Sequence, residues 1–196
     1  MFKYTAVVIC IANIVLIGLT SWAQEKTHNG IMITRLINQV CYYSCIRNSF
    51  RLSPDGNHVA CVKKSGNKMT VIIDGKEDSP YDEILSGIPI FSPDSRSVAY
   101  AARDGKKWFV VIDGKEGKRY DGLIKNILIF SQDSKHLAYA ARFGNAWFMV
   151  VDGLEGIEHD NSILIEDDSI VFESVNDLHY LATVGHSIYY VEEKIY

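Results

Sequence analysis

The stretch Phe91 to Asp121, FSPDSRSVAYAARDGKKWFVVIDGKEGKRYD, decides the architecture because it returns almost intact 39 residues later, at Phe130 to Asp160. These two copies agree at 18 of 31 positions without a gap, and a looser copy at Leu52 to Asp82 agrees with the middle one at 15 of 31. Such a period marks a repeat protein, in which each unit is one supersecondary element whose faces are buried by its neighbours.

Inside the middle copy the punctuation is that of antiparallel strands. Ile88 to Phe91 is a short apolar run, and Ser92-Pro93-Asp94-Ser95 after it is a turn, since Pro pre-sets φ while Asp and Ser bond their own backbone. A second strand, Val98 to Arg103, closes at Asp104-Gly105. A third, Trp108 to Ile112, stops at Asp113-Gly114, and a short fourth covers Lys118 to Tyr120. Asp-Gly between apolar runs is a strong hairpin signal. Neither the third strand nor its counterpart Trp147 to Val151 alternates, so neither has a face to show water and both need cover on two sides.

Four strands per 39 residues is the size of a propeller blade. A linear solenoid would also cover both faces, but coils of this length rarely carry two hairpin turns each. The expected fold class is therefore all-β, a β-propeller of four-stranded antiparallel blades at about 46–86, 87–125, 126–165 and 166–196. The last copy shows three strands, Ser169 to Ser174, Leu178 to Val184 and Ser187 to Val191. A lone strand within Gly30 to Ile37 is expected to supply its fourth and so close a four-bladed ring. The alternative is an open arc that needs a second chain, because exposed sheet edges invite aggregation.

Phe-Ser-Pro-Asp-Ser followed by Val-Ala-Tyr-Ala, at Phe91 to Ala101, and the same pattern at Phe130 to Ala140 with Gln132 in place of Pro, resembles the WD-like β-propeller repeat family of the TolB type. It is also similar to the propellers that precede prolyl-oligopeptidase-type hydrolases. The resemblance covers residues 46 to 191 and implies a fold, not an activity. The α/β domain of TolB has no counterpart here, so a Tol-Pal role is not implied, and the Trp-Asp and Gly-His pairs of eukaryotic WD repeats are missing.

With 47% hydrophobic and 22% charged residues among 196, the chain suits one globular domain. A net charge of -4 without a Lys/Arg cluster argues against a nucleic-acid or anionic-membrane partner. Residues 1–23 read as an export signal, with Lys3, an apolar run from Thr5 to Leu19, and small residues at Ser21 and Ala23 for cleavage. Export to a periplasmic or extracellular space follows, with no stable membrane insertion once the signal is removed. The competing reading is an uncleaved anchor, since Thr5 to Ala23 approaches the roughly 20 residues of a spanning helix. Residues 24–45 form the segment before the repeats.

Once the signal is removed Cys41, Cys45 and Cys61 remain, an odd number where disulfides form. Cys41 and Cys45 cannot bridge along a straight strand, so they need a turn between them or Cys61 as partner. Cys61 holds the repeat position of Tyr100 and Tyr139 and also reads as buried filler. No nucleophile elbow, phosphate loop or ligand-spaced Cys/His set appears, so no enzyme, cofactor or metal is expected; Gly185-His186-Ser187 lacks the closing Gly of an elbow. The candidate binding positions are Tyr81-Asp82, Tyr120-Asp121 and His159-Asp160, which recur with the repeat, so that their carboxylates could ring one mouth and hold a cation or basic peptide. The preferred reading of each Asp is an acceptor of backbone hydrogen bonds at a turn, since Asp is a habitual turn residue. Trp108 and Trp147 read as packing between blades, with sugar stacking as the alternative. The functional expectation is an exported binding module for a protein, peptide or small ligand. The alternatives are a propeller separated from a hydrolase domain, or an oligomeric structural envelope protein.

Overall fold

Strands apolar on both faces must be stacked, and stacking is what organises the molecule. The computed structural model describes residues 26–28, 31–33, 45–85, 89–124, 128–159, 162–164, 170–184 and 186–196, and every regular element among them is a β-strand. A short hairpin comes first, β1 (Lys26–His28) with β2 (Ile31–Ile33). The first repeat sheet follows in the order β3 (Arg51–Leu52), β4 (Val59–Ser65), β5 (Lys68–Ile73) and β6 (Lys76–Tyr81).

The second sheet holds β7 (Glu83–Ile84), β8 (Ile90–Phe91), β9 (Val98–Asp104), β10 (Lys107–Ile112) and β11 (Lys115–Glu116). In the third are β12 (Gly122–Leu123), β13 (Ile129–Phe130), β14 (Leu137–Phe143), β15 (Ala146–Val151) and β16 (Leu154–His159). The fourth is β17 (Ser162–Leu164), β18 (Val171–Phe172), β19 (Asp177–Val184) and β20 (Ser187–Lys194). All pairings are antiparallel.

The register moves the expected sheet boundaries. Glu83 and Ile84 pair with Arg103 and Ala102, while Ile90 and Phe91 pair with Ala99 and Val98. β7 and β8 therefore both lie along the same strand, β9. The chain changes sheets after Tyr81, Tyr120 and His159, and residues 86, 125 and 165, near which the boundaries were expected, lie outside the described residues. A single residue joins β6 to β7, with no Gly or Pro to mark the crossing. The fourth strand likewise starts at Lys115, directly after the turn, and Tyr120 returns as an isolated bridge to Trp108.

Two turn types alternate. Asp74-Gly75, Asp113-Gly114 and Asp152-Gly153 all have positive φ, the type I′ geometry that matches strand twist. Asp104 is instead the last paired residue, opposite Lys107, so the other hairpin turns at Gly105-Lys106 and not at Asp104-Gly105. Gly105 alone has positive φ there, as do Gly66 and Gly144 in their hairpins, which is the type II′ pattern.

Three apolar clusters join consecutive sheets. Val62 and Val71 meet Tyr100, Ala102, Phe109 and Val111; Ala99 and Val110 meet Leu137, Tyr139 and Ala141; Ala138, Ala140 and Met149 meet Ile163, Leu178, Tyr180 and Ala182. Alanines on one sheet face leave room for the aromatic rings of the next. Among the described residues no cluster joins the fourth sheet to the first.

The N-terminal strand departs from expectation. Ile31–Ile33 pairs with Lys26–His28, in the register His28 opposite Ile31, and not with β20. A pairing between segments so near in sequence closes a short loop, which costs less chain entropy than a long-range pairing. Cys45 is bonded to Cys61 with their Cα atoms 6.2 Å apart, and Cys61 is fully buried. Cys41 lies outside the described residues, as do residues 1–25. No helix among the described residues is long and apolar enough to cross a membrane.

Candidate functional site

The recurring Tyr-Asp step sits where the chain leaves one sheet for the next. Tyr81, Tyr120 and His159 are buried at 4%, 0% and 4% exposure. Each faces the tyrosine of the following sheet's second long strand: Tyr81 and Tyr100 rings lie 6.3 Å apart, Tyr120 and Tyr139 6.3 Å, His159 and Tyr180 5.6 Å. The phenols donate to carboxylates, Tyr100 to Asp78 at 2.8 Å and Tyr180 to Glu193 at 2.6 Å, and His159 Nε2 lies 2.9 Å from the Tyr180 hydroxyl. Burial first, and then those carboxylates, push the Tyr100 and Tyr180 phenols well above their ordinary range. They stay neutral donors.

The aspartates of the step point at the opposite problem, the exposed hairpins. Asp82 Oδ2 accepts the Gly105 N–H at 2.7 Å, and its Oδ1 lies 2.9 Å from Lys68 Nζ. Asp121 repeats this with the Gly144 N–H at 2.9 Å and Lys107 Nζ at 2.7 Å. The lysine and then the glycine N–H hold both carboxyls below their ordinary value of 3.8. Each carboxylate thus straps the hairpin of the following sheet to the lysine of its own. Asp160 lies outside the described residues, so the structure brings together the members of each pair but shows no ring of three carboxylates. Among the described residues no group of three His, Cys, Asp or Glu is placed to hold a metal.

The other end of the sheets carries the Ser-Pro-Asp turns and the Asp-Gly turns. Ser92 Oγ donates to Asp94 Oδ1 at 2.6 Å, and that oxygen accepts the Arg96 N–H at 3.1 Å. Ser95 and Ser134 have φ of 65° each, a left-handed backbone that only Gly adopts freely. Their hydroxyls explain it: Ser95 Oγ accepts the Asp55 N–H at 3.0 Å, and Ser134 Oγ accepts the Asp94 N–H at 2.9 Å, each in the preceding sheet. The turn aspartates brace the same end. Asp74 Oδ1 accepts the Val59 N–H at 3.0 Å and its Oδ2 meets His58 Nδ1 at 2.7 Å, while Asp152 does the same for Leu137 and His136 at 2.9 and 2.6 Å.

Between these turns the first two sheets leave an open groove of about 510 Å³, walled by Asp55, His58, Asp94, Arg96 and Asp113 over Ile73, Phe91 and Val98. A second groove of about 350 Å³ follows between the second and third sheets, with Asp113, Lys115 and Glu116 facing Tyr139 and Asp152. Charges of both signs above an apolar floor suit a peptide or a small polar ligand better than an apolar one. Sequence reasoning missed these grooves because their walls come from different repeats. The lysine straps were findable, since Lys68 and Lys107 stand one period apart. Trp108 and Trp147 lie half-buried, with the Arg103 and Arg142 guanidinium groups 5.6 and 5.9 Å from their ring centres. Val184 pairs with Ser187 and His186 lies in a turn, while Gly185 lies outside the described residues.

No family model and no curated protein sequence matches the chain. Solved structures do resemble it. They include TolB from Acinetobacter baumannii, at 13% identity and TM-score 0.47 over 77% of this chain and 41% of that one. A eukaryotic initiation factor matches at 12% and 0.43 over 84% and 44%, and a Kuenenia stuttgartiensis hydrazine synthase at 14% and 0.36 over 75% and 48%. The chain spans less than half the length of each.

Proposed function

We propose that the chain is an exported module of the β-propeller type, its four repeat sheets being four blades, and that it binds a protein, peptide or small polar ligand without chemical turnover. The observation that carries this is the loop-lined groove between the first two sheets. Its walls are held by the aspartate, histidine and serine hydrogen bonds described above, so it is preorganised, and preorganisation is what a binding surface needs to keep affinity. Export rests on the pattern of residues 1–23 and is checked by sequencing the amino terminus of the secreted product, which should begin at Gln24. Binding is tested by titrating the purified chain with fractionated envelope peptides and small solutes, against the Asp113→Lys and His58→Ala variants. Saturable binding that both variants weaken supports the groove. Turnover of ester, peptide or glycoside substrates by the purified chain would overturn the non-enzymatic reading.

A further inference from the structure

The third and fourth sheets break the repeat on their outer strands. Positions one period apart hold Lys76, Lys115 and Leu154, and then Ser79, Lys118 and Ile157. Leu154 is 76% exposed and Ile157 62%, and on β20 Ile188, Tyr189 and Tyr190 are exposed at 66%, 51% and 64%. Scattered exposed apolar residues need no explanation, but these five sit on adjoining edges, and Gly156 of β16 lies directly against the Glu193 side chain. Among the described residues β20 has a strand neighbour only on the β19 side. In each of the three preceding sheets the place beyond the third long strand is filled, by β6, β11 and β16.

Those three strands show what chemistry fits there. The first residue after the Asp-Gly turn stands opposite the last residue of the third long strand, as Lys76 with Ile73, Lys115 with Ile112 and Leu154 with Val151. Five residues later an aromatic ring stands opposite its second residue, as Tyr81 with Met69, Tyr120 with Trp108 and His159 with Trp147. The pairing of His179 with Glu192, and of Thr183 with Ile188, places Glu192 at the first of these positions and Ile188 at the second. An apolar residue in every other sheet is thus replaced by a carboxylate that is 51% exposed and has Lys194 only at 3.9 Å. A second carboxylate lies beside it: Glu173, which pairs at 3.2 Å with His179, the residue opposite Glu192.

We propose that the outer edge of β20 takes an extended segment of a partner protein as an antiparallel fourth strand, with a Lys or Arg opposite Glu192 and an aromatic side chain five residues later opposite Ile188. Strand addition of this kind draws affinity from main-chain bonds and selectivity from alternate side chains. The inference rests on the reading of the chain as a binding module and names the partner's chemistry at a surface separate from the groove.

The probe is a synthetic peptide of residues 113–123, DGKEGKRYDGL, labelled for fluorescence anisotropy against the mature chain. Saturable one-to-one binding is expected, weakened roughly two- to thirtyfold by Glu192→Lys, since a favourable cross-strand pair becomes a like-charge one. A peptide carrying Lys115→Glu should regain affinity for that variant, and Ile188→Asp should abolish binding while circular dichroism stays native. No saturable binding, or equal binding by the Glu192→Lys variant, overturns the proposal. So does light scattering that shows a dimer dissolved by Ile188→Asp, which would assign the edge to a second copy. If the parent chain binds a groove ligand while ignoring the peptide in both forms, the edge proposal fails and the module reading stands.

Discussion

Ser95 gives the sharpest test of how the sheets are coupled. Its backbone sits at φ 65°, it is 6% exposed, and its hydroxyl accepts the Asp55 N–H from the sheet before it at 3.0 Å. A left-handed conformation costs a non-glycine residue about 1 kcal/mol. A neutral hydrogen bond returns about 1 kcal/mol, and the N–H of the exposed Asp55 can bond water once the hydroxyl is gone. Ser95→Ala keeps the backbone strain and loses the bond to the Asp55 N–H, so it should destabilise by about 0.5–1.5 kcal/mol. Ser95→Gly also loses the bond but relieves the strain, which its greater freedom in the unfolded chain partly offsets, so it should be the milder change by about 0.5–1 kcal/mol. At roughly 2–4 °C per kcal/mol for a chain of this size, Ala lowers Tm by about 1–6 °C and Gly by visibly less. The first copy carries Gly56 at this position, with φ +70 and no atom within 4 Å of a built Cβ. Gly56→Ser should therefore cost stability by strain alone. Calorimetry of the three variants decides the matter. Should Ser95→Ala match the parent, or Ser95→Gly fall below Ser95→Ala, the serine is not trading strain for a bond between sheets.

Phe109 is fully buried, edge-on to Tyr81 at 5.3 Å and under the Arg119 guanidinium at 4.5 Å, so Phe109→Ala should cost about 3–5 kcal/mol, read as a shift in urea midpoint. The straps make stability acid-sensitive. Asp82 and Asp121 have folded pKa values below 3.8, and the Ser131 hydroxyl, chiefly, holds Asp133 at about 2, so the folded state binds fewer protons than the unfolded one. Their contribution is complete above pH 4 and is lost as pH falls toward 2; urea midpoints at pH 6 and pH 3 should converge in the Asp82→Asn, Asp121→Asn double variant. Peptide mapping without reductant should recover Cys45 linked to Cys61. Replacing both with Ser should cost about 3 kcal/mol, from opening a loop of 16 residues.

Short-range information decided more of this protein than its length suggests. The period, the Asp-Gly and Ser-Pro-Asp turns and the apolar third strands are legible residue by residue, because each rests on local backbone preference and on the need to cover two apolar faces. Reading the Asp-Gly pair as the turn in both hairpins missed the one-residue shift at Gly105-Lys106, since only cross-strand register distinguishes the two. The sheet crossings fall at Tyr81-Asp82 and Tyr120-Asp121, residues whose recurrence was visible in the sequence but whose place between sheets only cross-strand pairing shows.

What the tertiary structure alone decided is everything that joins one repeat to another. Asp82 is a plausible cation ligand in sequence and a strap to Gly105 in space. Ser95 is an ordinary turn residue until Asp55 appears beside it. Ile31–Ile33 is a strand by composition, yet its partner is the neighbouring β1, because pairing with a segment so near in sequence costs far less chain entropy than reaching the last sheet. A repeat sequence specifies each unit through contacts within about 39 residues. Which carboxylates are spent on holding units together, and which edge stays exposed, depends on stacking that no single unit contains.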